Sequence, residues 1–136
     1  MAISSQLLQP AKNCAASIDE LIEMLRIMKR SGCLNIFSYH NTKNDVDEDS
    51  WKKACQLLDD AKKYFKIFLD GLRQDEEWRN CFVNPEFTER TLNILSTRLD
   101  AIILTNNLLT VTTQLENISN NLNANMTTFI EFECIE

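Results

Sequence analysis

The chain has 136 residues, of which 44% are hydrophobic and 25% charged, and its formal net charge is −6. This length and balance predict one folded domain over residues 1–136, and they exclude a disordered chain. The excess of acidic residues argues against nucleic-acid binding, which draws much of its affinity from Lys and Arg on phosphates. With only two Gly and two Pro, an all-β domain would lack turn residues, so the composition favours long helices.

The cysteines and the N-terminus together predict the compartment. Five cysteines, an odd number with no C-x-x-C pair, indicate free thiols in a reducing compartment rather than a disulfide framework. Three of them, Cys14, Cys55 and Cys81, lie in helical patterns beside apolar residues. The opening "MAISSQLLQP" lacks the basic and apolar regions of a signal peptide. No apolar run approaches the ~18 residues of a membrane-spanning helix. We therefore expect a cytoplasmic protein that does not act at a membrane.

The first predicted helix covers about residues 10–31. Pro10 suits its first turn, where a missing N–H costs nothing, and Gly32 suits a left-handed C-terminal cap. From Cys33 to Asp49 the helical pattern stops, and "HNTKNDVDED" predicts an exposed acidic loop. The apolar stripe of this helix recurs every three or four residues and consists of Ala11, Cys14, Ile18, Leu21, Leu25 and Met28.

The second predicted helix covers about residues 50–82 and has the most regular apolar face in the chain. It ends before Asn84-Pro85, because the residue that precedes a proline disfavours helix. Its other side is rich in Lys and Asp, as is usual for a solvated helix surface. Its apolar face consists of Trp51, Ala54, Leu58, Ala61, Phe65, Phe68 and Leu72.

Two further helices are predicted over about residues 86–104 and 107–129. At ~100° per residue, their apolar stripes point in directions that differ by roughly 150°, so one straight helix would present opposite faces in its two halves. A turn near Thr105-Asn106-Asn107 resolves the conflict and gives an all-α four-helix bundle or a close relative. The alternative is one long helix that packs on its own domain at one end and on a partner at the other. The tail "IEFECIE" alternates apolar and acidic residues, which predicts a short C-terminal strand or an extended arm.

One segment partly matches a calcium-binding loop. "DVDEDS" places Asp45, Asp47 and Asp49 at the first three ligand spacings of an EF-hand. Ser50 replaces the turn glycine, and Gln56 replaces the bidentate Glu that completes the calcium ligands. The better interpretation is an acidic loop that caps a helix, so we predict no metal site.

The sequence contains no motif for catalysis or for cofactor binding. The single histidine, His40, lies in a predicted loop, and Cys33 is the nearest cysteine, without a recognisable family context around the pair. Glycine-rich phosphate loops and the G-x-S-x-G motif are absent from the sequence. We therefore predict a non-enzymatic protein without a cofactor, and an enzyme that relies on His40 and Cys33 is only the third hypothesis.

The most informative stretch is residues 105–129, which contain one charged side chain, Glu116. The outer side of a surface helix normally carries Lys, Glu and Arg, yet here it carries Asn and Thr, which are poor helix formers. Centres of protein interfaces are depleted in charge, because burying an unpaired charge is costly. Two alternatives are burial of this row by the same chain and a biased nucleotide composition, although the bias does not explain the absence of Lys. The row consists of Asn106, Leu109, Thr113, Asn117, Asn120, Ala124 and Thr127.

These patterns lead to two main hypotheses of function. The first is a helical interaction module, such as an adaptor, complex subunit or inhibitor, which docks its last helix on a protein partner or on a second copy of itself. The second is a bundle that holds a small apolar ligand among Phe65, Phe68 and Trp51. For the first hypothesis, the predicted contact residues are Asn106, Thr113, Asn117, Asn120 and Ala124, with Trp78 as an anchor at the rim.

Overall fold

The computed structural model describes residues 5–30, 48–74, 84–105 and 107–135. Helices fill almost all of these ranges, which contain no strand. Each of α1 and α3 packs against both α2 and α4, so the helices surround a common core as a four-helix bundle. The predicted all-α architecture is therefore confirmed. The helices are α1 (Ser5–Arg30), α2 (Glu48–Gln74), α3 (Pro85–Ala101) and α4 (Leu108–Ile135).

The core is one cluster of buried apolar side chains from all four helices. Phe65 and Phe68 are its largest completely enclosed side chains, 2% and 0% exposed, with ring centroids 6.3 Å apart. The predicted apolar stripes of α1 and α2 are buried, except that Trp51 is only partly buried against the core. On α3 and α4, the regularly spaced apolar residues are buried as well: Leu92, Leu95, Leu99, Leu108, Leu115 and Leu122. The three-to-four residue spacing therefore identified the inward face of each helix correctly.

Helices α1 and α4 run antiparallel. Arg26 of α1 forms an ion pair with Glu116, and Asp19, two turns earlier on α1, accepts a hydrogen bond from Ser119. From the Arg26–Glu116 pair to the Asp19–Ser119 pair, the residue number falls on α1 and rises on α4, so the two helices run in opposite directions.

Helices α2 and α3 are antiparallel as well. Lys62 donates to the carbonyl oxygen of Ile102 at 2.9 Å, whereas Arg73, further along α2, reaches Asn93 near the middle of α3. The Lys62 ammonium thereby satisfies a free carbonyl at the C-terminal end of α3 and complements the negative end of its dipole.

Residues 86–129 form two helices, as predicted, and the break lies between Ile102 and Asn107. The backbone of Ile102 is extended, with φ −72° and ψ 128°, and its side chain is buried. At ~3.3 Å per residue, six extended residues span roughly 20 Å, less than the ~25 Å length of a 17-residue helix. The link is therefore too short to return to the start of α3. Because α4 packs against α3, the two helices run antiparallel.

Helix α1 begins earlier than predicted, at Ser5, so Pro10 lies inside the helix and not in its first turn. A proline in a helix interior costs about 3 kcal/mol. The additional turn buries Leu8 completely, and burial of a leucine side chain offsets roughly 1.5–3 kcal/mol of that cost. Burial of Leu8 therefore offsets at least half of the cost of the interior proline.

The prediction of a strand or extended arm at the C-terminus is wrong, because α4 continues to Ile135. The alternation in "IEFECIE" covers only seven residues. Extending an existing helix avoids the cost of nucleation, whereas a strand needs a second strand to pair with. The predicted extension of α2 to residue 82 falls on 75–82, which lie outside the described residues.

The start of α4 depends on the side chain of Asn107. Its Oδ1 atom accepts a hydrogen bond from the backbone N–H of Thr110 at 3.2 Å. We expect Asn107→Ala to lower the free energy of unfolding by about 1 kcal/mol, because the first turn loses its cap. The matched control is Asn121→Ala on an exposed turn of the same helix, which should raise stability by about 0.5 kcal/mol through helix propensity. Urea unfolding followed by circular dichroism measures both, and equal losses would contradict the cap.

Candidate functional site

The candidate site is the outer side of α4. Leu108, Leu115 and Leu122 are completely buried in the core, which turns the opposite side of the helix outward. The side chains that point outward follow the same spacing of three or four residues. We call these four exposed residues the α4 surface: Thr113, Asn117, Asn120 and Ala124.

The α4 surface carries no charge. Every exposed side chain described between Leu108 and Met126 is uncharged. The single charged residue of this stretch, Glu116, is half-buried at the edge that faces α1, where it pairs with Arg26. Helix α2 differs, since its exposed positions include Lys63 and Lys66. The absence of charge is therefore a local property of one side of the bundle.

The bundle itself does not explain the residue types of this surface. Within the described part of the chain, Thr113, Asn117 and Asn120 make no side-chain hydrogen bond or ion pair. Thr or Asn inside a helix is up to ~0.7 kcal/mol less favourable than Ala. These side chains are exposed, so the described helices do not bury them.

A polar network borders the α4 surface on the side of α1. Ser119, only 5% exposed, donates to Asp19 Oδ1 at 2.8 Å and accepts from Asn123 Nδ2 at 3.3 Å. This network could not be predicted from the sequence, because helical spacing does not determine which residues of α1 lie beside α4. Next to it is an open cleft of about 230 Å³, lined by Asp19, Ile22, Arg26, Glu116, Ser119 and Asn120.

Two apolar side chains lie exposed near the start of α4. Leu109 belongs to the same outward row as Thr113 and is 56% exposed, and Ile103 on the preceding link is 72% exposed. Interfaces draw much of their energy from a few anchoring side chains that fill pockets on the partner. Leu109 continues the α4 surface towards its N-terminal end and adds an apolar side chain to it.

Several predicted site residues lie outside the described part of the chain. They include two members of the predicted interface, Asn106 and Trp78, and both members of the hypothetical catalytic pair. The first two aspartates of the calcium-like segment are outside it as well. In full, these residues are Cys33, His40, Asp45, Asp47, Trp78 and Asn106.

Cys14 and Cys55 are free thiols. Burial raises the pKa of Cys14 to about 12, so this thiol stays protonated at neutral pH. The pKa of Cys55 is also raised, first by burial and then by the nearby carboxylate of Asp59. Since the thiolate is the reactive form, neither environment activates its cysteine as a nucleophile.

The remaining predictions concern metals, membranes and an apolar ligand. Among the described residues, no three potential metal-ligating side chains lie close enough together to hold an ion. None of the described helices combines the length and apolarity needed to cross a membrane. Phe65 and Phe68 lie side by side in the core, with Trp51 packed against it, and the apolar-ligand hypothesis stays a prediction.

Comparison with known proteins gives no family for this chain. No protein-family model matches it, and searches of curated proteins and of solved structures find no match either. The class that the geometry defines is an all-α four-helix bundle with an exposed, charge-free helix surface.

Proposed function

We propose that the protein is a helical interaction module, an adaptor, complex subunit or inhibitor, that docks through its α4 surface. The observation that carries the proposal is the row of exposed, uncharged side chains from Thr113 to Ala124 on a chain with a net charge of −6. This surface extends over 11 residue steps, or about 17 Å at ~1.5 Å per residue. A surface of that length is suitable for docking one side of a helix into a groove on a partner. Leu109 adds an exposed apolar side chain at its N-terminal end.

Removing water costs less free energy at the α4 surface than at the exposed lysines of α2. Covering an exposed Lys or Glu without a partner charge removes its hydration and is strongly unfavourable. Asn and Thr lose less on burial, and each hydrogen bond formed with a partner contributes about 1 kcal/mol net. A partner that covers the α4 surface therefore meets a smaller desolvation penalty than one that covers the exposed lysines of α2.

In this proposal the partner is either a different protein or a second copy of the same chain. Two copies that each carry a net charge of −6 repel one another over most orientations. Contact through the α4 surfaces places the uncharged sides together, and an amide can both donate to and accept from the same amide of a second copy. Self-association and binding of a different protein then use the same residues and respond to the same substitutions.

The test introduces charge into the α4 surface with the double variant Thr113→Glu/Asn117→Glu. Glu is a better helix former than either Thr or Asn, so the fold should persist. Both introduced charges become unpaired when a partner covers them, so we expect affinity to fall at least about tenfold. The readouts are the molar mass by light scattering over a concentration series and the affinity for any protein that co-purifies from the native source.

The matched control adds the same charge elsewhere, through Ala16→Glu/Thr97→Glu at exposed positions of α1 and α3. The proposal requires that this control associates like the unmodified protein while the α4 variant does not. Unchanged association in both variants, with circular dichroism showing intact helices, would mean that another surface makes the contact.

A further inference from the structure

A second distinct surface lies between α2 and α3. The two helices border an open cleft of about 540 Å³, which we call the basic cleft. Four of its side chains are cationic and two are anionic, a local balance of +2 in a chain whose net charge is −6. The basic cleft is lined by Lys62, Lys63, Lys66, Leu69, Asp70, Arg73, Ser96 and Asp100.

Two of the cations already have partners. Lys62 donates to the carbonyl oxygens of Ile102 and Asp100, at 2.9 and 3.3 Å, and is fixed at the end of α3. Arg73 lies 3.4 Å from a carboxylate oxygen of Asp70. Lys62 thereby links α2 to the end of α3, and Arg73 also donates to Asn93 of α3 at 3.3 Å.

The other two cations have no partner within the described residues. Lys63 and Lys66 are exposed, and neither forms an ion pair or a hydrogen bond there. The chain has 20 acidic residues and 14 basic ones, so it contains enough carboxylates to pair with every Lys and Arg. Among the described residues, Lys63 and Lys66 therefore leave the cleft with an excess of positive charge.

The shape of the basic cleft indicates the kind of ligand. Its lining residues on α2 extend from Lys62 to Arg73, which is about 17 Å at ~1.5 Å per residue. That distance equals about five residues of an extended peptide at ~3.3 Å each. A single phosphate is bound by donors that converge on one point. Lys62, Lys63 and Lys66 lie within about one turn of α2, and Arg73 lies seven residues, or ~10 Å, beyond Lys66, so a ligand that reaches both ends of the cleft is longer than one phosphate. Leu69, at the base of the lining, is buried and belongs to the core.

We propose that the basic cleft binds a short acidic peptide segment of a partner protein, with Lys63 and Lys66 pairing with its carboxylates. This inference is independent of the α4 surface. Helices α2 and α4 are diagonal in the bundle, and the two surfaces share no residue. The protein then has two docking surfaces of different chemistry, one neutral and one cationic.

The experiment measures binding of a fluorescent peptide of alternating Glu and Ser by anisotropy at low ionic strength. We expect saturable binding that weakens as salt is added, and no binding of the same peptide with Gln in place of Glu. Lys63→Gln/Lys66→Gln should weaken binding about three- to tenfold, because two exposed pairs are lost. The control Lys12→Gln/Lys52→Gln removes the same charge from exposed positions outside the cleft and should keep the original affinity.

Three results would overturn the proposal. The first is an equal loss in both double variants, which would mean that net charge alone attracts the peptide. The second is binding of the Gln peptide as tightly as the Glu peptide. The third is displacement of the peptide by an equal concentration of inorganic phosphate, which would assign the cleft to small anions. The α4 variant Thr113→Glu/Asn117→Glu should bind the acidic peptide like the unmodified protein, so failure of one surface does not affect the test of the other.

Discussion

Phe68→Ala is expected to lower the free energy of unfolding by about 3–5 kcal/mol. The Phe68 side chain is fully buried and its ring contacts that of Phe65, so truncation removes a large apolar group and leaves a cavity in the centre of the bundle. A domain of ordinary stability has only about 5–15 kcal/mol in total, so this one change would remove a large fraction of it. Urea unfolding monitored by circular dichroism gives the difference in free energy.

The neighbouring residue provides the control for this experiment. Ile67 precedes Phe68 on α2 but is 45% exposed, so Ile67→Ala removes an aliphatic side chain without opening an internal cavity. We expect it to cost less than about 1 kcal/mol. If the two variants lost similar amounts of unfolding free energy, the rotation of α2 about its own axis would be wrong. The assignment of its outward residues depends on that rotation.

The inward faces of the helices could be predicted from the sequence because hydrophobic spacing is a local property. Leu92, Leu95 and Leu99 recur with the helical period whatever α3 packs against, and all three are buried. The helix boundary near Asn107 was predictable for a related reason, since two stripes of different direction do not fit one straight helix. Both predictions need only the geometry of a single helix.

The contacts between helices could not be predicted in the same way. Lys62 lies on the polar side of α2, and nothing in its neighbourhood along the chain indicates that it caps α3 through Ile102. The bond from Ser119 to Asp19 likewise joins residues 100 positions apart. Such contacts depend on the rotation and axial offset of one helix against another, which the period of a single stripe leaves undetermined.

The accessibility of the α4 surface is the part of the candidate site that only the fold could decide. An uncharged row such as Thr113, Asn117 and Asn120 is equally compatible with burial by the same chain and with an outward position. The bundle leaves the row outside, because α4 contacts α1 and α3 through its other sides. Thr113, Asn117 and Asn120 are therefore not covered by the described helices, and Asn106 and Trp78 lie outside the described residues.

These exposed residues also connect stability with binding. An exposed Asn or Thr that contacts nothing lowers the stability of its helix relative to Ala, since its side chain competes for backbone hydrogen bonds. In a complex, the same amide or hydroxyl gains a partner and contributes to affinity. Under the proposed function, Asn and Thr at these positions therefore lower the stability of the free protein and raise its affinity for a partner.

The triple variant Thr113→Ala/Asn117→Ala/Asn120→Ala tests the effects on stability and on affinity separately. At protein concentrations low enough to prevent association, we expect it to raise the free energy of unfolding by about 1–2 kcal/mol, because helix propensity improves by up to ~0.7 kcal/mol at each position. Thermal unfolding should shift upward by several degrees, while affinity for a partner or a second copy should fall.

The control for the triple variant is Ser119→Ala on the same helix. It removes a buried hydroxyl that is bonded to Asp19 and Asn123, and should destabilise the protein by about 1–3 kcal/mol. A triple variant that is also less stable than the unmodified protein would show that the Asn and Thr side chains support the fold. The absence of charge on α4 would then be a feature of bundle stability, and the docking proposal would lose the observation that carries it.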